Sequence, residues 1–303
     1  MTSAFVSLVM VSWRTGPVLY DALAAALDAQ GVVEVILVDN GNPTADQARL
    51  DAWAHERPRL KILRGHGNIG FARGCNLGAE AARGDYLLIL NPDAILEPDA
   101  PLHLIAVLAI ARRPAIAGAF VADLQGREQR GARRRELTAW RLLMELTGCA
   151  ARWPDRPWAR GAHMHGEPPP EGPTPVDAVS GACFAVARED FLRLGGFDAR
   201  YFLHVEDVDL CRAAREAGGA VWYAPAARAV HHRGTSAAAR LRVEWSKAIG
   251  FSRYFRKYAQ SPAARIGYWL LTGPILALGL ARGGAQDGRT LLTRTIKKFV
   301  APG

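Results

Sequence analysis

Across the first 122 residues, short apolar runs alternate with longer amphipathic stretches, and this alternation leaves few folds open to the chain. The apolar runs are Phe5 to Val11, Val32 to Val38, Leu60 to Leu63, Tyr86 to Leu90 and Ile116 to Val121, each of a length that suits a buried strand. Between them, Val18 to Ala29, Thr44 to Glu56, Ala72 to Ala82 and Asp99 to Arg112 carry Ala, Leu, Glu and Arg at helical spacing. Strand followed by helix at this pitch predicts an α/β fold with a Rossmann-like, mostly parallel sheet and helices on both faces. Hydrophobic residues make up 50% of the 303 residues and charged residues 22%, a globular composition that excludes a disordered, collagen-like or disulfide-scaffold protein.

The pattern breaks from Asp123 to Pro175, where a basic patch at Arg127 to Arg135 and a helical stretch at Leu137 to Leu146 precede a segment rich in Pro, Gly and Trp. We read this as an irregular insertion or flap. Regularity resumes with a strand-like run at Val176 to Ala187, a helix from Val205 to Ala217 and a strand at Ala220 to Ala224. The expected organisation is therefore an α/β half (1–122), the insertion (123–175), a second half (176–239) and a helical C-terminal segment (240–303).

Charge is distributed unevenly over these parts. The formal net charge is +9, but residues 240–303 hold 12 Lys and Arg against 2 Asp and Glu, leaving 26 against 27 elsewhere. A neutral body with a basic tail disfavours a nucleic-acid-binding fold, which carries its basic residues on the recognition surface, and favours an anionic membrane surface. Arg240 to Tyr258 reads as a basic aromatic helix, and Ile266 to Ala281 as an uncharged run too short and Gly-rich for an ordinary span. For that run the interfacial or re-entrant reading leads, with a core helix and a true span as alternatives. Cys75, Cys149, Cys183 and Cys211 form no Cys-x-x-Cys pair and read as reduced thiols. No basic n-region or cleavage site precedes the first apolar run, so no signal peptide is expected.

Five groups of residues carry chemistry. Asp39 ends the second apolar run in Asp39-Asn40-Gly41-Asn42-Pro43, at the carboxyl end of a parallel strand, where open α/β sheets bind ligands and an acid can hold a ribose hydroxyl or a base N–H. The first turn, Ser12-Trp13-Arg14-Thr15-Gly16-Pro17, lacks the Gly-x-Gly-x-x-Gly of a dehydrogenase. Gly67 to Asn76 crowds glycines and amides at a helix start, which lets a phosphate approach the backbone. Asn91-Pro92-Asp93 follows a buried strand, and a carboxylate there suits Mg2+ or Mn2+ beside a diphosphate. Glu206, Asp207 and Asp209 open a helix, where Asp207 can act as a general base, and His231 or His232 can complete a metal site. Each group taken alone is also explained by turn, cap or helix-dipole chemistry.

Together, and in this order, the motifs resemble family 2 inverting glycosyltransferases, in particular the bacterial rhamnosyltransferase-like branch. The resemblance spans residues 4 to 240 and rests on Leu37-Val38-Asp39-Asn40, Asn68-x-Gly70-Phe71-Ala72-x-Gly74-x-Asn76, Leu90-Asn91-Pro92-Asp93, Gly195-Gly196-Phe197-Asp198, Glu206-Asp207-x-Asp209-Leu210-Cys211 and His231-x-x-Gly234-x-Ser236. It implies a GT-A fold, with 1–122 the nucleotide-sugar-binding half and 176–239 the acceptor and catalytic-base half, and a site in which Ser12, Asp39, Asn68, Gly70, Phe71, Asn76, Asn91 and Asp93 bind the sugar nucleotide. Asp39 matches the residue that recognises a pyrimidine base, and Asn91-Pro92-Asp93 stands where the family often has Asp-x-Asp. The same resemblance makes Asp207 the base with Glu206 in support, and Asp93 with His231 the contacts of a Mg2+ or Mn2+ ion.

The expected activity is transfer of a sugar, L-rhamnose from dTDP-rhamnose first and another nucleoside diphosphate sugar next. The acceptor is a glycan or polyprenyl-diphosphate-linked glycan of the bacterial cell surface. The tail places such an enzyme in the cytoplasm at the inner face of the membrane. A non-catalytic glycan- or nucleotide-binding module is the alternative, and retention of Asp39, Asp93, Asp207 and His231 together argues against it, because a binder needs no base.

Overall fold

A computed structural model describes residues 5–235, 240–262, 265–268, 272–275 and 277. The chain divides into two compact units, residues 1–202 with 206–236, and residues 203–205 with 237–303. In chain order the first unit contains β1 (Val6–Ser12), α1 (Val18–Asp28), β2 (Val32–Asp39), α2 (Thr44–Glu56), β3 (Leu60–Leu63), α3 (Phe71–Ala81), β4 (Tyr86–Leu90), β5 (Ala94–Leu96), α4 (Ala100–Ile110) and β6 (Ala115–Ala122). It continues with β7 (Arg133–Arg134), α5 (Ala139–Thr147), α6 (Cys149–Arg152), β8 (Thr174–Pro175), β9 (Ala178–Val179), β10 (Cys183–Ala187), α7 (Arg188–Arg193), α8 (Glu206–Glu216) and β11 (Ala220–His231). The second unit contains α9 (Arg240–Tyr258), where the rings of Tyr254 and Tyr258 lie 4.9 Å apart.

Nine strands form the main sheet in the order β3-β2-β1-β4-β10-β6-β11-β5, with β8 paired to β11. The parallel arrangement holds for β3, β2, β1 and β4 and for β6 with β11, but β10 runs antiparallel to both β4 and β6, and β5 and β8 run antiparallel to β11. The sheet is therefore mixed rather than mostly parallel. Its cause is the path of residues 123–175. They leave β6 at its carboxyl end and return the chain to the same edge, so that Cys183 starts β10 beside Leu90, the last residue of β4. A strand buried on both faces reads as a continuous apolar run whichever way it points, so Cys183 to Ala187 signals burial without direction.

Two further expectations are revised by backbone details. The run Val176 to Ala187 is interrupted at residues 180–182, which separate β9 from β10. The strand expected at Ala220 to Ala224 continues to His231, because a register shift between Ala224 and Arg228 absorbs Pro225, which has no N–H to give the ladder.

Helices cover both faces of the sheet. Leu8 and Met10 of β1 join Leu19 and Leu23 of α1 and Leu104 and Leu108 of α4 in one apolar cluster. Val9 and Val11 point the other way, against α3, and there the approach depends on small residues: a Cβ at Gly78 would stand 2.4 Å from Val9 and one at Gly74 2.8 Å from Val11. The four cysteines are free thiols, and burial pushes Cys183 and Cys211 up to about 12. No helix among the described residues is long and apolar enough to cross a membrane. Half of the run 266–281, like Ser236 of the last motif, lies outside the described residues.

Candidate active site

At the carboxyl edge, β1 and β2 end side by side, with Ser12 opposite Asp39. Asp39 is buried, and its Oδ1 accepts three hydrogen bonds, from the Gly41 N–H (3.0 Å), the Asn42 N–H (2.8 Å) and the Asn42 side-chain amide (2.9 Å). Its Oδ2 has no hydrogen-bond donor among the described residues, and Arg64 Nε stands 3.5 Å away, close enough to attract and too far to bond well. Ser12 Oγ donates to Asn42 Oδ1 at 3.1 Å, tying the two strand ends together. The result is a carboxylate held through Oδ1, with Oδ2 buried and without a hydrogen-bond donor among the described residues.

The Gly-rich segment is positioned by the same edge. Asn40 donates its side-chain amide to the Gly70 carbonyl at 3.1 Å, and Asn68 Oδ1 accepts the Gly70 N–H at 3.1 Å. Gly70 starts α3 at φ +86° and packs so tightly on Phe202 that a Cβ would lie 2.6 Å from the Phe202 carbonyl oxygen. The Phe71 N–H donates to that same carbonyl at 2.8 Å. Asn76 is engaged differently from Asn68 and Gly70: its amide donates to the Phe197 carbonyl (2.8 Å) and its Oδ1 accepts the Phe197 N–H (2.9 Å). Both ends of Asn76 are thus used to hold the Gly195-Gly196-Phe197-Asp198 loop onto α3.

Asp93 and His231 meet across 138 residues of sequence because β11 pairs antiparallel with β5, placing His231 opposite Ala94. His231 Nε2 is 3.0 Å from Asp93 Oδ1 and 3.1 Å from the Asn91 amide, and Thr235 Oγ1 donates to Asp93 Oδ2 at 2.9 Å. Burial opposes ionisation of Asp93, but His231 and Thr235 overcome it and hold the carboxyl below the usual range. Gln129 sets the ring from behind. Its amide nitrogen donates to the carbonyls of Ala122 (3.0 Å) and His231 (2.5 Å), so its Oε1 faces His231 Nδ1 at 3.0 Å. An amide oxygen only accepts, so Nδ1 carries the hydrogen of that bond, and Nε2 is the nitrogen turned toward Asp93.

This pair fits a hard divalent cation in one respect and limits it in another. An imidazole nitrogen and a carboxylate oxygen converge at 3.0 Å, as two ligands of one ion do, yet no group of three or more His, Cys, Asp or Glu among the described residues is placed to hold a metal ion. The protein side therefore offers two ligands, a set suited to a cation that completes its shell with phosphate oxygens and water.

Asp207 stands at the start of α8 with Oδ2 bonded to Arg134 (2.9 Å) and to the Gly181 N–H (2.9 Å), and Oδ1 accepting the Val208 N–H (2.8 Å). Burial opposes its ionisation, but the Arg134 charge and the backbone N–H groups outweigh it and keep the carboxyl below the ordinary value. Glu206 is pushed the other way, first by burial and then by the Asp207 charge, and its Oε2 has no hydrogen-bond partner among the described residues. Neighbouring carboxyls with opposed shifts divide into one charged and one protonated group near neutral pH.

The turn between β9 and β10 joins these two clusters. The Ala182 carbonyl accepts the Asn91 N–H at 2.9 Å, and one residue earlier Gly181 donates to Asp207. Asp39, Asn68, Gly70, Asn91, Asp93, His231 and Asp207 thus share one edge of the sheet, whereas Asn76 faces the neighbouring loop. Gln129, Arg134 and Thr235 are the contributors that sequence reasoning does not single out. Arg134 lies inside a basic patch that gives no sign of reaching 73 residues ahead.

A mixed α/β sheet with helices on both faces and its acidic groups along the carboxyl edge belongs to the GT-A class of folds. Solved structures share it: GalNAc-T7 with UDP, GalNAc and Mn2+ superposes with a TM-score of 0.61 at 16% identity, covering 85% of this chain and 48% of that one. The mannosyltransferase PcManGT from Pyrobaculum calidifontis, in complex with GDP-Man and Mn2+, gives 0.57 at 16% identity over 98% and 81% of the two chains. Within that class the match is to glycosyl transferase family 2 over residues 7–166, and the chain belongs to that family. A relative is the N-acetylglucosaminyl-diphospho-decaprenol L-rhamnosyltransferase of Mycobacterium tuberculosis, 29% identical over 241 residues and 76% of each chain. The rhamnosyltransferase WbbL of Escherichia coli is 42% identical over 59 residues, 20% of this chain and 22% of that one.

Proposed function

We propose that this glycosyltransferase moves L-rhamnose from dTDP-rhamnose to a hydroxyl of a polyprenyl-diphosphate-linked glycan, with inversion at the anomeric carbon. The reading includes a location in the cytoplasm at the inner face of the membrane. The observation that carries the reaction is the shared turn 180–182, which hydrogen-bonds Asp207 through Gly181 and Asn91 of the Asp93–His231 cluster through Ala182. A diphosphate site and a carboxylate base must lie on either side of the sugar in a single displacement, and this turn couples the two.

In this reading Asp39 Oδ2 accepts the N–H of a pyrimidine base, since it is a buried acceptor without a donor. Asn68, Gly70 and Phe71 shape the segment against which the nucleotide sugar lies, and the Asn76 bonds to Phe197 hold that segment in place. Asp93 and His231 would hold Mg2+ or Mn2+, which when bound offsets the charge of the departing diphosphate.

Asp207 takes the proton of the acceptor hydroxyl at Oδ1, the oxygen that carries a single backbone hydrogen bond. The hydroxyl oxygen then bonds to the anomeric carbon while the bond to the diphosphate breaks, its electron pair leaving with the phosphate oxygen. Arg134 and Gly181 fix Oδ2, so the carboxylate cannot rotate away during transfer. Protonated Glu206 supports Asp207 by adding no second negative charge.

Calorimetric binding of dTDP, UDP and GDP, with and without Mn2+, tests the donor side on the native chain and on Asp93→Ala. Metal-dependent binding of dTDP, weakened about tenfold or more in the variant, is the expected result. Failure of all three nucleotides to bind would shift the reading to a non-catalytic module.

A further inference from the structure

The part of the first unit that the transfer reaction leaves unused is the insertion between β7 and β8, and its surface composition is unusual. Trp140, Trp153 and Trp158 are 53%, 43% and 50% exposed, although each could have been buried by a chain with ample apolar partners. They are clustered, not scattered: the rings of Trp153 and Trp158 lie 5.6 Å apart, and the Trp140 indole N–H donates to the Trp158 carbonyl at 2.7 Å. Beneath them Leu142, Met144 and Ala159 are buried, so the platform is folded and its indoles face outward.

Cations border the platform. Residues 151–158 are all exposed and include Arg152 and Arg156, with Arg160 exposed just beyond and Asp155 the one acid of that run. Arg152 lies over the Trp153 ring at 5.7 Å, and neither Arg156 nor Arg160 has an acidic partner among the described residues. The nearby Glu145 is already paired with Arg130. Large amphipathic rings beside unpaired guanidinium groups match the boundary between lipid headgroups and acyl chains, where indole is wet at one end and apolar at the other.

Its attachment supplies the second argument. The two ends of the insertion are pinned together next to Asp207: Arg135 N–H donates to the Ala162 carbonyl at 2.8 Å, and Arg134, the partner of Asp207, forms a β-bridge with His163. The platform thus hangs from the residue that orients the proposed base.

We propose that residues 139–160 form a membrane-docking surface whose tryptophans enter the interface of an anionic bilayer while Arg152, Arg156 and Arg160 contact its headgroups. The docking rests on the reading above only for its purpose, presentation of a lipid-linked acceptor to Asp207. The platform itself stands on exposure and charge.

Partitioning of the full chain onto phosphatidylcholine vesicles, with and without phosphatidylglycerol, tests it. The variant Trp140→Ser/Trp153→Ser/Trp158→Ser is expected to partition about tenfold or more weakly onto the anionic vesicles, with dTDP affinity unchanged. Arg156→Glu/Arg160→Glu is expected to lose the preference for anionic over neutral lipid. A third chain, Trp245→Phe/Trp269→Phe, removes the indoles of the C-terminal unit and is expected to keep strong quenching by brominated lipids, so the test does not depend on the folding of the triple variant. Unchanged partitioning of that triple variant, absence of quenching, or no vesicle binding by the native chain would overturn the proposal. So would capture of a soluble glycan or a second protein chain through the tryptophans in place of lipid. Failure of dTDP to bind would overturn the transferase reading and leave the vesicle result intact.

Discussion

Arg134 decides what Asp207 can do. One guanidinium at 2.9 Å keeps the buried carboxyl ionised, against a desolvation that would otherwise protonate it. Its removal should therefore raise the pKa of Asp207. In Arg134→Met the acid limb of kcat/KM is expected to move to higher pH by about one to two units, the usual influence of an adjacent opposite charge, and a pH–rate profile checks this. Gln129 acts with equal specificity on His231. Gln129→Met loses the acceptor at Nδ1, and His231 is expected to shift toward the Nε2–H tautomer, visible in nitrogen-15 spectra of labelled histidine. Mn2+ affinity should fall about tenfold to a hundredfold with it.

Elements place these residues by their ends. The start of α3 is held to the sheet by Asn40 and Asn68, and it approaches Phe202 at a distance only glycine permits. Gly70→Ala combines a left-handed φ with a Cβ against a carbonyl oxygen, and a loss of about 1–3 kcal/mol is expected from urea unfolding. Nucleotide affinity should drop as well if this segment contacts the donor. The direction of β10 matters in the same way. Because it runs antiparallel to β4, its first residues and the turn before them lie at the edge that carries Asn91 and Asp207, whereas a parallel β10 would have taken that turn to the opposite edge.

For the molecule as a whole, Glu206 and Asp207 pull stability in opposite directions with pH. Asp207 has a lowered pKa, so its contribution is present above its unfolded value and is lost as pH falls toward and through the folded one. Glu206 has a raised pKa: above 4.5 the unfolded chain releases a proton that the folded chain keeps, so stability declines as pH rises until the folded carboxyl ionises too. Glu206→Gln removes that decline. Thermal unfolding of the variant and the native chain from about pH 5 to about pH 8 should show an advantage for the variant that grows as pH increases. An advantage constant across that range would mean that Glu206 ionises normally.

Sequence alone determined the order of strands and helices through β4, because burial on both faces and amphipathic period are local properties of the chain. It also marked Asp39, Asn68, Gly70, Asp93, Asp207 and His231, since strand ends and Gly-rich helix starts are where an α/β sheet exposes backbone and carboxylates to a ligand. Strand direction after residue 122 was decided by the tertiary structure, since an apolar run is the same read either way. The assignment of Asn76 to the Phe197 backbone, of Gln129 to His231 and of Arg134 to Asp207 was decided there too. Each of these depends on a partner about 70 to 120 residues away, and the strength of a hydrogen bond or ion pair depends on separation in space, which sequence spacing does not encode.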